Sequence, residues 1–243
     1  MPQCQISPNR TILTEEQHIA EGFWLCPGEP YSPGCPGGEI YRRADQDLQE
    51  HLVAALSACA SEFGVAPADF STPSELLLGQ RPETVLEKSG EVVVYVNPGN
   101  VPRETLIGQI AHEAFHVVCS PLTPHVLKWS HELLAEHFRV RYLNLNSMET
   151  AAEAHRSWLR TNGETFPLEE VPNAADTSAG YYGRVFLLGQ ELIEAASWPL
   201  VRSLASALKE DGHPDPAAWI ASLPSARSAE VKRILTPMLS VNC

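Results

Sequence analysis

Apolar side chains recur at helical spacing through Leu48, Leu52, Leu56, Cys59 and Phe63, and Gly64 follows them. That pattern predicts an amphipathic helix over Leu48–Phe63 with a glycine stop. Ahead of it, residues 1–43 are rich in Pro, Gly and Cys and read as irregular. Residues 65–90 read as loop-rich, with one short helical piece near Ser74–Leu78. Glu91–Val96 is a run of β-branched and aromatic residues ended by Asn97-Pro98-Gly99-Asn100, the pattern of a strand and a turn. A helix is expected to start just after Pro102 and to reach about Cys119, where Ser120-Pro121 stops it. A second is expected over roughly Leu127–Leu143. Beyond it the pattern is almost entirely helical, with segments at Tyr181–Trp198, Leu200–Lys209, Pro216–Ser222 and Ala229–Leu239. Little strand signal follows residue 100. The expected class is α+β, with a small N-terminal sheet and a mostly helical C-terminal lobe. In domain terms, an irregular segment (1–43) precedes a single domain (44–243), made of an α/β lobe (44–120) and a helical lobe (121–243).

Composition narrows the function classes. The 243 residues include 30 acidic and 17 basic side chains, a net charge of −13 with His neutral. Phosphate binding needs a basic footprint, so nucleic acid is not an expected partner, and no polybasic patch points to a membrane surface. With 44% hydrophobic and 19% charged residues, the chain can build a core and is no disordered acidic polymer. Its most apolar segments, Val92–Val96 and Leu52–Ala60, are far shorter than the ~20 residues that span a bilayer.

Six cysteines occur, at positions 4, 26, 35, 59, 119 and 243, and none forms a CxxC pair, which excludes a zinc ribbon or a thioredoxin-type motif. Cys26 and Cys35 bracket a Pro/Gly-rich loop that builds little core of its own, so a disulfide between them is physically sensible. Spacing alone leaves the pairings open, and scattered free thiols are the alternative. The N-terminus has neither a charged n-region nor an apolar h-region. The cysteine usage leans towards an extracytoplasmic, secreted protein whose export signal has been removed, with a cytoplasmic location as the alternative.

The chemistry sits on the helix expected after Pro102. From Leu106 to Cys119 it is apolar nearly all round, so it should be buried. Its strongly polar members are Gln109, His112, Glu113 and His116, which at ~100° per residue share one stripe roughly 100° wide. Buried imidazoles and a buried carboxylate each need a partner. His112-Glu113-Ala114-Phe115-His116 is HExxH: the i, i+4 spacing stacks two imidazoles on one face, where they can share a metal ion, and Glu113 stands beside them to take a proton from a metal-bound water. The bland alternative is two core histidines and a helix carboxylate.

A catalytic zinc site needs a third protein ligand and one open position. Cys119 and Leu122 stand where HExxHxxGxxH would need Gly and His, so the metzincin pattern is excluded. Downstream lies Trp129-Ser130-His131-Glu132-Leu133-Leu134-Ala135-Glu136-His137. Here the chain resembles the gluzincins, the HExxH-plus-Glu metallopeptidases that include thermolysin and the zinc aminopeptidases, whose third ligand lies in a W-x-x-E-G-x-A-E-like stretch of the next helix. Trp129, Glu132, Ala135 and Glu136 match; Leu133 replaces the usual Gly, which bears on helix packing and substrate access.

The resemblance implies a zincin-like fold and one Zn2+ per chain held by His112, His116 and Glu132. It also implies that Glu136 holds a zinc-bound imidazole by its free N–H. A solvated helix carboxylate is the alternative for Glu136, and His125, His131 and His137 are rivals to Glu132; Cys119 reads as a packing or disulfide residue. Many gluzincins also carry a Tyr at the start of a later helix, soon followed by Gly, whose hydroxyl stabilises the oxyanion. Tyr181-Tyr182-Gly183 fits, with Tyr181 preferred to Tyr182, an ordinary packed Tyr pair as the alternative, and Arg184 as a further oxyanion or carboxylate binder. Glu91–Val96 corresponds to the edge strand that would pair with an extended substrate; a buried structural strand is the other option. The implied activity is hydrolysis of peptide bonds in a peptide or protein substrate through a metal-activated water, with Glu113 as general base. The rivals are a zinc-binding pseudopeptidase serving as an interaction module and a metal-free helical interaction protein. The resemblance covers Glu91 to Phe186; residues 1–90 carry no match.

Overall fold

The structure, a computed structural model, describes residues 11–13, 40–79, 82–86, 91–119, 128–174, 178–207 and 215–239. The chain divides into two units, Met1–Leu122 and Thr123–Cys243.

The first unit holds strands β1 (Thr11–Leu13) and β2 (Ile40–Arg43), helix α1 (Gln46–Phe63), strands β3 (Glu75–Leu78), β4 (Glu83–Leu86) and β5 (Val92–Val96), and helix α2 (Arg103–Cys119). The five strands form one sheet in the order β1-β2-β3-β5-β4. β1 and β2 are parallel, β2 and β3 antiparallel, β3 and β5 parallel, and β5 and β4 antiparallel. β5 is thus inserted between the two strands that precede it in the chain. All five of its residues are buried, as a β-branched run covered on both faces must be.

Three expectations are corrected here. The piece near Ser74–Leu78 is strand β3, not a helix; four residues with three consecutive Leu carry no periodicity that separates the two, and pairing on both sides decides it. The stretch 1–43 contains β1 and β2, although Pro and Gly surround them. Glu91–Val96 is not the edge strand but the buried structural strand given as the other option: β5 has a partner on each side, and β4 is the edge on that flank among the described residues. The Cys26–Cys35 loop lies outside the described residues, as do Cys4, Cys243, His125 and the Ser120-Pro121 stop.

Sheet pleating aims one residue of β4 at α2. Val85 joins Leu77, Val93 and Tyr95 in one apolar cluster, so alternation turns Thr84, opposite Val94, to the other face. There its hydroxyl meets α2 at Glu113. α1 is capped by Asp45, whose carboxylate accepts from Leu48 N at 2.9 Å, and, as the sequence predicts, it stops at Gly64, in the left-handed region (φ 69°). Gln109 on α2 accepts from Asn97 N at the end of β5 (2.7 Å), which satisfies one of the buried polar groups of the α2 stripe.

The second unit is helical: α3 (Lys128–Leu145), α4 (Glu149–Gly163), α5 (Ala179–Ala196), the short α6 (Trp198–Val201), α7 (Pro216–Ser222) and α8 (Ser225–Leu239), with 3-10 turns at Leu168–Asn173 and Arg202–Ser206. α3, α4 and α5 pack pairwise. α4 and α5 touch backbone to backbone where Gly163 meets Gly183: a Cβ on either would lie 2.3 Å from main-chain atoms of the other. Ser178 starts α5 by accepting from Tyr181 N, which sets Tyr181 in the first turn. Among the described residues no helix is long and apolar enough to cross a membrane.

Candidate functional site

In the first unit the HExxH residues sit on a helix buried from Leu106 to Cys119 except at His116, which is half-buried. The Nε2 atoms of His112 and His116 are 3.1 Å apart, and the rings meet edge-on at 67° with centroids 4.9 Å apart. Tetrahedral zinc with metal–nitrogen bonds of about 2.0–2.1 Å places its ligand atoms about 3.3 Å apart. The imidazole pair therefore fits one ion. Glu113 is buried, and Thr84 Oγ1 donates to its Oε2 at 2.9 Å and approaches its carbonyl at 3.3 Å. That contact turns one carboxylate oxygen towards the sheet and fixes the rotamer of the group that HExxH chemistry uses as a base. Thr84 was invisible in the sequence, a lone threonine in a stretch read as loop.

The second unit carries the remaining candidates. Glu132 is half-buried on α3. Tyr181, on α5, is fully buried, and its hydroxyl has no hydrogen-bond partner among the described residues. Its ionisation is pushed up, first by burial and then by the negative charge of Glu132, so the group is a neutral donor held near that carboxylate. Lys128 Nζ lies 5.4 Å from the Tyr181 ring centre. Tyr182 is half-buried and packs edge-on against Tyr181 at 6.0 Å. Arg184 Nη2 lies 4.0 Å from Glu191 Oε1.

Glu136 is buried, not a solvated carboxylate, and its Oε2 lies 2.6 Å from His155 Nε2. This imidazole belongs to α4; the sequence offered only a lone His in a polar helix and no signal of the pairing. His137, a rival ligand, is a core histidine. Its Nε2 is 3.1 Å from the Phe186 carbonyl, its ring stacks on Phe186 at 4.5 Å, and burial lowers its pKa to about 4. A Cβ on Gly189 would lie 2.3 Å from that Nε2, so the ring lies directly against the α5 backbone. His131 is buried on α3. Cys59 and Cys119 are free thiols 3.9 Å apart.

Comparison with protein-family models, with curated proteins and with solved structures finds no match to this chain.

Proposed function

We propose that the chain is a zinc-dependent metallopeptidase of gluzincin type, with a zincin-like arrangement in which His112, His116 and Glu132 bind the metal. The observation that carries this is the buried HExxH helix, with its two imidazole nitrogens spaced for one ion and Glu113 clamped beside them by Thr84. Two neutral imidazoles with one carboxylate are a donor set that suits zinc.

A bound divalent ion supplies Lewis acidity: it lowers the pKa of a coordinated water and polarises a scissile carbonyl. The protein residues do the rest. Glu113 takes the water proton as the oxygen attacks the carbonyl carbon, then delivers it to the departing amine nitrogen. Tyr181 donates its hydroxyl hydrogen to the oxyanion; a buried donor with no partner among the described residues is available for this and needs no reorganisation. Tyr182 is the alternative donor. Glu136 carries a partner histidine of its own, His155, so its carboxylate is held in place for orienting work within the helical unit.

The test is elemental analysis of purified protein before and after a chelator, with cleavage of a mixed peptide library measured in parallel. About one zinc per chain with chelator-sensitive cleavage is expected. Zinc without cleavage would favour the interaction-module reading instead, and protein free of metal after zinc loading would refute the site.

A further inference from the structure

Away from the metal ligands, the first unit holds a pair of sulfur atoms that the proposed peptidase chemistry does not use. Cys59 on α1 and Cys119 on α2 approach to 3.9 Å, 60 residues apart in sequence, and both are buried. The approach belongs to the way the helices pack. Arg103, at the start of α2, bonds the carboxylates of Asp45 and Asp47 at the start of α1. The two helices therefore run side by side in the same direction, with a fork of charge at their first turns and the thiols at their last. Beside the thiols the Phe63 and Phe115 rings meet edge-on at 5.1 Å, which fixes the spacing of the two helix ends.

We propose that Cys59 and Cys119 form a redox pair that a peroxide converts into an intramolecular disulfide, stapling the end of α2 to α1. A disulfide needs an S–S distance of about 2.05 Å, so closure requires the sulfurs to approach by about 1.9 Å through rotation about the two Cα–Cβ bonds. Cys119, 8% exposed at the helix end, is the sulfur an oxidant meets first. Its thiolate attacks one peroxide oxygen, the O–O bond breaks, and a sulfenic acid forms with release of hydroxide. The Cys59 sulfur then attacks the sulfenic sulfur, the S–O bond breaks, and the Cys59 proton leaves with that oxygen as water. The balance is two thiols and one hydrogen peroxide to one disulfide and two waters. Cys59 suits the second step: burial holds its thiol protonated, which protects it from direct oxidation until a sulfenic acid stands beside it.

The closed loop is long, so the staple removes much freedom from the unfolded chain. The 243-residue chain, fully reduced and then treated with hydrogen peroxide under native conditions, is expected to yield a Cys59–Cys119 cross-linked peptide two hydrogens lighter than the sum of its parts. The melting midpoint should rise by roughly 10 °C and return to its starting value with a thiol reductant. Cys119→Ala should abolish the peroxide-dependent rise while leaving the reduced protein folded. Recovery of both cysteines as alkylatable thiols, their pairing with other cysteines, or cross-linking without any rise in midpoint would each overturn the proposal. None of these readouts depends on bound metal or peptidase activity.

Discussion

Gly183 follows the candidate tyrosines by one residue, and its role in the structure is close packing. A Cβ there would lie 2.3 Å from Gly163 N and from Leu159 O, and 2.7 Å from Gly163 Cα. Ordinary contact begins at about 3.4 Å, so Gly183→Ala requires α4 and α5 to part by roughly 1 Å. The obstructing atoms are backbone, and no rotamer change relieves them. A gap of that size forfeits up to about half of each dispersion contact across the crossing, and overpacking of this kind costs on the order of 3–4 kcal/mol. Helix propensity works the other way, since Ala is favoured over Gly in a helix by about 1 kcal/mol. The net expectation is a loss of about 2–3 kcal/mol in urea unfolding followed by far-UV circular dichroism. Gly163→Ala should cost a similar amount. The double variant should cost less than the sum, because helices already parted make room for the second methyl. Gly64→Ala is the control: among the described residues nothing lies within 4 Å of its Cβ, but its φ is +69°, so only the left-handed penalty of about 1–2 kcal/mol applies. A Gly183→Ala protein within 0.5 kcal/mol of the parent would refute the crossing.

The other predictions concern the site and its surroundings. Glu113→Gln should retain metal by elemental analysis and lose about 10²–10⁴-fold in kcat/KM; full activity would remove Glu113 as the base. Tyr181→Phe deletes a buried hydroxyl that has no partner among the described residues, so stability should hold or rise by about 1 kcal/mol while kcat falls about 10²-fold; a marked loss of stability would mean the hydroxyl is satisfied. Glu132→Ala should weaken zinc retention in a chelator titration, and unchanged occupancy would move the third ligand elsewhere. His137 has a folded pKa of about 4 against an ordinary 6.5, so the unfolded chain binds the extra proton first. Its contribution to stability is complete above pH 6.5 and is lost as pH falls towards 4, by roughly 3 kcal/mol. His137→Gln should flatten that part of the stability–pH curve, and an unchanged slope between pH 4 and 6.5 would refute the assignment.

The parts of the fold that announced themselves were those with long periodic signals. α1, α2, α3, α5 and α8 each offer several turns of pattern, and Gly64, Pro102 and Pro216 mark helix ends by backbone chemistry that needs no tertiary context. β3 and β4 offered only Glu75–Leu78 and Glu83–Leu86, too short for a period, and what makes them strands is the pairing with β5. The position of β5 inside the sheet was equally hidden, because a run such as Val92–Val96 reads the same whether covered by neighbours or open at an edge. In the site, HExxH was legible because its i, i+4 spacing is local. Thr84 and His155 were not, since their contacts join residues 29 and 19 positions away.

The strand order also bears on how the chain can come together as it leaves the ribosome. β3 and β4 emerge first, yet neither pairs with the other; each waits for β5, the last strand made, to enter between them. Until Val96 has cleared the exit tunnel, the Leu-rich β3 has no partner on that flank, and its apolar face is open to chaperones and to other nascent chains. The turn and helix that follow β5 are close in sequence and tied to it by the Asn97–Gln109 bond, so β5 and α2 can form early as a local unit with low contact order. Sheet completion is then a single late insertion on which the strand presenting Thr84 to Glu113 also depends. A pause that leaves β3 outside the ribosome while Val92–Val96 is still inside the tunnel would hold the sticky intermediate longest, and slow synthesis once β5 and α2 have both emerged would favour correct assembly.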